Sequence, residues 1–234
     1  MPGSPAADRR DAEALRGALT DADPPTAARL LLGCRVVGRA EPRDDGAGGG
    51  PVVLEVLEAE GYGGADDPAS HAWRSATRGR VTGRAEVMAG AAGTAYVYRS
   101  YGLHLCLNVV LGPVGEPGAV LLRAGRVLGG HEPARARRAA GRAASSRPQD
   151  VALARGPGNL CAALGVLAGD DGGDLLAPDA RGPRLVRGRA LAGADVVAGP
   201  RVGVSRAGDR PWRVHVAGAP EVSTYRGVRG ALPG

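Results

Sequence analysis

An alternation of apolar and polar residues from Val52 to Tyr62 predicts a β-strand. With a period of two, Glu58, Glu60 and Tyr62 project from one face of that strand. If this face lay in the core, the two carboxylates would need charged or hydrogen-bonding partners. If it were fully solvated, the tyrosine ring would bury little of its apolar surface. The pattern therefore favours a face that opens into a cleft.

A second β-rich pattern covers Tyr96–Val110, where two apolar and aromatic arms flank the residues Ser100–Gly102. It predicts a β-hairpin with Tyr101 at an exposed tip. Core packing is a poor explanation for a large aromatic ring at such an exposed position. The residues Gly118–Arg123 predict a further strand, which ends in a charge.

Helical signals are short and are interrupted by glycine and proline. Thr26 is predicted to cap a helix over Ala27–Leu32, which ends at Gly33. A strand is predicted to follow at Cys34–Val37. Residues 1–25 are predicted to form a poorly ordered tail, because two consecutive prolines end the one short helical pattern in it.

Three further segments are rich in glycine or arginine. Gly63–Gly93 predicts a long irregular loop, and such loops are usually functional or disordered. The arginines of Glu132–Arg147, a predicted helix or loop, fit a solvated face as well as a phosphate contact. Arg155–Asn159 precedes a predicted helix, Leu160–Leu167, whose amino end could bind an anion, although these residues are also common in turns.

Aromatic residues are rare and unevenly placed. The chain of 234 residues has no Phe, two Trp and five Tyr. Four of the tyrosines and one tryptophan fall between Tyr62 and Tyr101. Because Leu, Val and Ala supply the rest of the apolar content, rings kept in one region are expected to face a flat ligand.

The charge balance is basic, with a net charge of +6. All 30 positions counted as Lys or Arg are Arg, since the sequence contains no lysine. Arginine binds phosphate in a bidentate manner and stacks on bases, which suggests a partner that carries phosphates. A compositional preference for arginine, alanine and glycine explains the same numbers equally well. The absence of lysine excludes catalysis through a lysine imine.

The three cysteines, Cys34, Cys106 and Cys161, are widely spaced and match neither a disulfide framework nor a zinc pattern. They are predicted to be buried thiols in a reducing compartment. No apolar stretch reaches the length of a membrane span, and the amino terminus lacks an apolar signal core. A cytoplasmic protein without a metal or other cofactor is expected.

Several short phrases, in a fixed order, resemble the alkyladenine (3-methyladenine) DNA glycosylases of the mammalian type. The resemblance extends from about Ala27 to Ser223, nearly the whole chain outside the predicted tail. The matching phrases are Glu58-Ala-Glu-Gly-Tyr62, Asp66-Asp-Pro-Ala-Ser-His71, Ala95-Tyr-Val-Tyr98, Tyr101-Gly, Cys106-Leu-Asn108-Val, Gly118-Ala-Val-Leu-Leu-Arg123 and Arg155-Gly-Pro-Gly-Asn-Leu-Cys161.

The resemblance implies a role for each matching residue. Glu60 would be the general base that activates water. The pocket for the flipped base would be formed by Tyr62, His71, Tyr98 and Asn108, the last of which would help to exclude guanine. DNA would be contacted by Tyr101 as a wedge into the duplex, by Arg123 at a phosphate and by Arg99 on the backbone.

The resemblance also implies an α+β fold. A tail over 1–25 would precede one glycosylase domain over 26–228, with a curved and mostly antiparallel sheet, surrounding helices and a protruding hairpin. Two segments depart from the family pattern. These are Thr82–Ala89, which leaves the choice of damaged base open, and Arg99-Ser100, which replaces an apolar pair.

The implied activity is monofunctional excision of alkylated purines from double-stranded DNA. The enzyme would act as a monomer near the nucleoid and would leave the DNA strand intact. Two alternatives remain open at this point. One is a non-catalytic protein that binds damaged DNA with the same pocket and wedge, and the other is an N-glycosidase directed at RNA or nucleotides.

Overall fold

The computed structural model describes residues 5–40, 50–140, 148–223 and 225. Its strands are β1 (Arg35–Val37), β2 (Val53–Tyr62), β3 (Ala95–Ser100), β4 (His104–Val110), β5 (Ala119–Gly129), β6 (Arg184–Val186), β7 (Val196–Gly199) and β8 (Arg213–Val216). Its α-helices are α1 (Pro5–Asp21), α2 (Pro24–Leu31), α3 (Trp73–Ala76), α4 (His131–Ala139) and α5 (Pro157–Leu164).

Strand β2 is the centre of the sheet, whose main order is β3-β4-β5-β2-β1-β6. It pairs with β5 along one edge, and with β1 and then β8 along the other. Each pairing among the described strands is antiparallel. The register between β2 and β5 shifts on both sides of Glu58, as at a β-bulge, which bends a strand next to a functional site. The predicted α+β class and mostly antiparallel sheet are confirmed.

The core consists of small and aliphatic side chains, with Leu54, Leu107, Leu122, Leu160 and Leu164 among its fully buried members. Helices α2 and α5 pack on the sheet and close its apolar face. A second, smaller cluster surrounds Tyr96 under the 3₁₀ helix Gly83–Ala89. The sheet thus gives a rigid base on which longer loops can be held.

The amino-terminal segment differs from the predicted disordered tail. Its residues 5–21 form helix α1, and the side chains of Leu15 and Leu19 enter the main core. Arg16 adds an ion pair with Asp174. The proline pair ends a helical pattern as expected, but it also opens α2, because proline suits the first turn of a helix.

The cap of α2 also differs from the prediction. Asp23, not Thr26, is the N-cap residue, and its carboxylate accepts a hydrogen bond from the Thr26 amide at 2.9 Å. Gly33 follows the helix as predicted, with φ of +77°. A Cβ atom there would lie 2.2 Å from the carbonyl oxygen of Arg189, so the close approach requires glycine.

One other predicted segment contains more helix than expected, and another predicted helix begins earlier in the chain than expected. The loop predicted over 63–93 contains α3 and the 3₁₀ helix Gly83–Ala89. Helix α5 begins at Pro157, inside the motif predicted to precede it. The predicted basic segment is helical as α4, while its residues 141–147 lie outside the described residues. No helix in the described ranges has the length and apolarity that crossing a membrane requires.

Candidate functional site

A cavity of about 580 Å³ opens between the β3–β4 hairpin, the ends of β2 and β5, and two loops at 68–71 and 202–205. Its volume falls in the range of about 300–1,000 Å³ that is typical of small-molecule sites. The structure brings seven of the eight predicted site residues to its lining: Tyr62, His71, Tyr98, Arg99, Tyr101, Asn108 and Arg123. The eighth, Glu60, lies directly behind that lining.

Glu60 is fully buried on β2, and three residues of the cavity wall hold its carboxylate. Oε2 accepts hydrogen bonds from the Tyr62 hydroxyl at 2.8 Å and from Arg123 Nη1 at 3.1 Å. Oε1 accepts one from the Val202 amide at 2.7 Å. Glu58, Glu60 and Tyr62 lie on one face of β2, as the alternation in the sequence predicts. Arg123 contacts both glutamates of this face.

Burial raises the pKa of Glu60 above its ordinary value, against the opposing effects of Arg123, the Val202 amide and Tyr62. Burial beside Glu60 also raises the pKa of Tyr62, which therefore stays protonated and donates its hydroxyl hydrogen. A carboxylate held by a cation and two donors but withdrawn from water is suited to proton transfer.

Arg123, which the resemblance predicts to contact a DNA phosphate, is paired with two buried carboxylates. Its side chain is 8% exposed, and its Nε donates to Glu58 at 2.9 Å while its Nη1 donates to Glu60. Arg123 lies on β5, which pairs with β2, so its side chain reaches the glutamates of that strand. The residue is held by the two buried carboxylates and also lines the cavity.

Three rings form one wall of the cavity. His71 meets Tyr98 edge to face with ring centroids 4.6 Å apart, and Tyr96 lies 5.5 Å from Tyr98. The hydroxyl of Tyr96 bonds to Nδ1 of His71 at 2.8 Å, which fixes the imidazole. Such a group of rings provides the flat, polarisable surface that a planar ligand would contact.

His71 is electrically neutral at pH 7 although part of its ring is exposed to the cavity. Partial burial, and secondarily the positive charge of Arg84, lower the pKa of His71 to about 4. Burial raises the pKa of the neighbouring Tyr96 to about 12. The ring wall therefore carries no charge of its own at neutral pH.

Asn108 and Cys106 form part of the cavity lining on β4. The side-chain amide of Asn108 donates to the Tyr96 carbonyl oxygen at 2.9 Å, so the side chain is fixed in the buried strand pair. Cys106 is a free thiol whose pKa is raised by burial, as expected for an unreactive cysteine.

Tyr101 stands at the hairpin tip beside the mouth of the cavity, as predicted, and is 91% exposed. Its backbone φ is +49°, a left-handed conformation that is uncommon outside glycine. Packing does not compensate for this conformation, since almost the whole ring lies in solvent. An exposed and strained aromatic tip favours a role in contacting a ligand. Arg99 lies on the same hairpin and is also exposed.

Arg84 lies over the ring of Tyr98, with its guanidinium carbon 5.9 Å from the ring centroid. It belongs to the 3₁₀ helix in the segment that departs from the family pattern. No pattern in the sequence marks Arg84 as a site residue. Its position places a cation at the edge of the aromatic wall.

A buried ion pair supports the other side of the cavity. Arg201 makes two hydrogen bonds to the Asp67 carboxylate, at 2.7 and 2.8 Å, and both side chains are fully buried. The guanidinium stacks between the rings of Tyr62 and Trp212 at 4.9 and 5.0 Å. Arg201 thereby fixes the adjacent Val202, whose amide holds Glu60.

Sequence reasoning missed Arg201, Val202 and Arg213 as site residues. Their hydrogen bonds to β2 span more than 130 residues of chain, and no local motif marks them. One signal was present: two buried glutamates require cationic partners. Among 30 arginines, however, composition could not indicate which ones.

In the described part of the chain, no three His, Cys, Asp or Glu side chains come together in a way that could hold a metal ion. The side chains at the site offer several kinds of chemistry. These are a buried carboxylate, a paired arginine, neutral rings and an exposed tyrosine.

Comparison with known proteins identifies the family. The family model of methylpurine-DNA glycosylase matches residues 18–220. Proteins of Mycobacterium tuberculosis and Nocardia farcinica, each named "Putative 3-methyladenine DNA glycosylase", are 46% identical to this chain over 205 and 209 residues. These matches cover 87% of this chain, and 90% and 88% of the respective relatives. A Mycobacterium leprae protein of the same name is 44% identical over 216 residues, or 91% of this chain and 90% of the relative. With the match extending over most of both chains and the site residues gathered at one cavity, the chain belongs to the methylpurine-DNA glycosylase family.

Proposed function

We propose that this protein is a monofunctional DNA N-glycosylase that removes alkylated purines from double-stranded DNA. The observation that carries the proposal is the position of Glu60, whose carboxylate is held by Tyr62, Arg123 and Val202 in the lining of a cavity that opens beside Tyr101. A base turned out of the helix would enter the cavity, and its sugar would lie at the mouth.

Selection of the damaged base is assigned to the ring wall. Alkylation at a ring nitrogen gives a purine a positive charge, and a cation against aromatic faces is favoured by about 0.5–2 kcal/mol. Because His71 is neutral, it does not repel such a base. Asn108 lines the cavity and is held by the Tyr96 carbonyl oxygen, and its proposed role is to help exclude guanine.

Hydrolysis is assigned to Glu60 with the help of Arg123. The oxygen of a water molecule bonds to the sugar C1′, the bond between C1′ and the base nitrogen breaks, and its electron pair leaves with the base. Glu60 takes the proton of the water, and its negative charge stabilises the oxocarbenium-like transition state. Arg123 favours the ionised form of Glu60 and orients its carboxylate.

Because the sequence contains no lysine, no side-chain amine can form an imine with the abasic sugar, and we expect the reaction to end at hydrolysis. The product would be an abasic site in an intact strand. Neither a metal nor another cofactor has a part in this scheme.

The experiment that tests the function is a substrate panel. Purified protein is incubated with duplexes carrying N3-methyladenine, N7-methylguanine, hypoxanthine or ethenoadenine, and released bases are separated by chromatography. We expect release of at least one methylated purine, with strand breaks appearing only after alkali treatment. Tight binding to an abasic analogue without release of any base would instead indicate a damage-binding protein, and strand cleavage without alkali would contradict the hydrolytic scheme.

Replacing Tyr101 by alanine is expected to lower base release from fully paired duplex by about tenfold or more, because extruding a base costs a few kcal/mol. The loss should be smaller when the lesion faces a mismatched base, since extrusion then costs less. Val114→Ala is the matched control, because Val114 is 75% exposed but does not line the cavity. Equal losses on paired and mismatched duplexes would contradict the wedge role.

A further inference from the structure

A second glutamate lies beside the proposed base, two residues earlier on the same face of β2. Glu58 is fully buried. Its Oε1 accepts hydrogen bonds from Arg123 Nε at 2.9 Å and from Arg213 Nε at 2.6 Å. In the described structure, its Oε2 is buried without a hydrogen-bond partner. A buried carboxylate with one oxygen lacking a hydrogen bond is stabilised mainly by the arginines that pair with it.

Arg123 is shared between the two glutamates. Its Nε serves Glu58 while its Nη1 serves Glu60 at 3.1 Å. Arg213 lies opposite Glu60 in the β2–β8 pairing, yet its side chain contacts Glu58 and is only 4% exposed. Two carboxylates are therefore balanced by two guanidinium groups, with only one of them in contact with Glu60.

We propose that Glu58 and Arg213 are a positioning pair for this reaction, in which Arg213 neutralises Glu58 so that Arg123 remains available to hold the Glu60 carboxylate at the cavity wall. The proposal rests on the function proposed above for Glu60. Neither Glu58 nor Arg213 lines the cavity, so both act through Arg123.

The direction of each effect follows from the charges around Glu60. The groups that face it are Glu58 and Tyr62 on its own strand, Arg123 on β5, the Val202 amide, and Tyr98 on β3. Without Arg213, the negative Glu58 would draw Arg123 away from Glu60. Glu58 would also repel the Glu60 carboxylate, and both effects favour the protonated form of Glu60. With glutamine at position 58, the repulsion disappears and Arg123 turns fully to Glu60, which favours the ionised form.

The test is a titration of Glu60 in the DNA-free protein by NMR of ¹³C-labelled glutamate carboxyls. The chain has nine glutamates, and the Glu60→Gln protein identifies the signal. We expect Arg213→Gln to raise the titration midpoint of Glu60 by about one pH unit and Glu58→Gln to lower it by a similar amount. The control is Arg126→Gln, which removes one positive charge from β5 but breaks a pair with Glu221, 2.8 Å away.

The double variant separates action through Glu58 from a direct charge effect. If Arg213 acts through Glu58, Arg213→Gln should change the midpoint far less in the Glu58→Gln background than in the native one. An equal change in both backgrounds, or a shift of the same sign for both single variants, overturns the proposal. If Arg213→Gln does not fold, the sign of the Glu58→Gln shift decides alone, with no shift or an upward shift counting against the pair.

The pH dependence of base release adds a second readout. The acidic limb of the rate profile should move with the NMR midpoint in each variant. If the midpoints shift as expected but the native protein releases no base, the proposed function fails and the pair stands. If the native protein releases base and the midpoints stay fixed, the pair fails and the function stands.

Discussion

Replacing Glu60 by glutamine is expected to reduce the single-turnover rate of base release by about 10²–10⁴-fold, the usual contribution of a general base. Glutamine has nearly the same shape but cannot take a proton from water or oppose the charge that develops on the sugar. Binding to a duplex with a damaged base should persist, because the ring wall and Tyr101 are unchanged. The rate is measured with enzyme in excess, and the affinity by fluorescence anisotropy.

Two comparisons make this result specific to the carboxylate. Glu55→Gln changes another glutamate of β2 that does not line the cavity and pairs with Arg126 at 3.9 Å, so its rate should remain native. Thermal unfolding checks the fold, because a glutamine side chain offers one acceptor oxygen where the carboxylate of Glu60 accepts three hydrogen bonds. A folded Glu60→Gln protein that releases base at the native rate would contradict the assignment of Glu60.

Replacing Asp67 by asparagine is expected to lower the free energy of unfolding by roughly 3–5 kcal/mol, because the charge of Arg201 would remain buried without its partner. For a chain of this size, the loss corresponds to a melting temperature lower by about 10 °C. Base release should fall as well, since Arg201 fixes Val202 against Glu60. Urea denaturation at pH 7 measures the first effect.

The neighbouring residue provides the control. Asp66 is 77% exposed and lies 4.0 Å from Arg210, so Asp66→Asn should change the free energy of unfolding by less than about 1 kcal/mol. If both variants are equally stable, the buried pair does not hold the loop.

The pH dependence gives an independent check on the same pair. Burial raises the pKa of Asp67, but Arg201 and the amides of Gly63 and Ala69 outweigh it, so the net change is downward from 3.8. Since the folded protein holds the ionised form more strongly than the unfolded chain, this stabilisation is present above pH 3.8 and is lost as the pH falls through the lower folded value. The difference in stability between native and Asp67→Asn proteins should therefore narrow in that acidic range.

Much of the fold near the site follows from local patterns. Strand alternation alone placed Glu58, Glu60 and Tyr62 on one face, and the turn residues placed Tyr101 at a hairpin tip. The sequence predicted only a short helical pattern within a poorly ordered amino-terminal tail, whereas the helix extends over Pro5–Asp21. Its order depends on two leucines that enter a core built by distant residues, which no local pattern records.

The contacts of the site arginines could not be predicted from the sequence, because they too depend on residues that are distant along the chain. The residues that the family resemblance marks lie at or next to one cavity, and Arg123 among them is paired with two carboxylates on the adjacent strand, contacts that the resemblance does not indicate. The contacts of Arg201 and Arg213 depend on chain segments more than 130 residues apart. Sequence spacing could show that Glu58 and Glu60 needed cations, but only the folded chain shows which arginines reach them.

In the proposed complex, a damaged purine leaves the helix and lies against the ring wall with its sugar next to Glu60. A crystal structure of the native protein bound to a duplex containing 2′-fluoro N7-methylguanine would show this arrangement, since the fluorine disfavours the oxocarbenium-like transition state and keeps the base attached. We expect the base in the cavity between His71, Tyr62 and Tyr98, Tyr101 in the gap left in the duplex, and a water between Glu60 and C1′ about 3–3.5 Å from that carbon. A base that remains stacked in the duplex, or a sugar too far from Glu60 for a single water to connect them, would contradict the account.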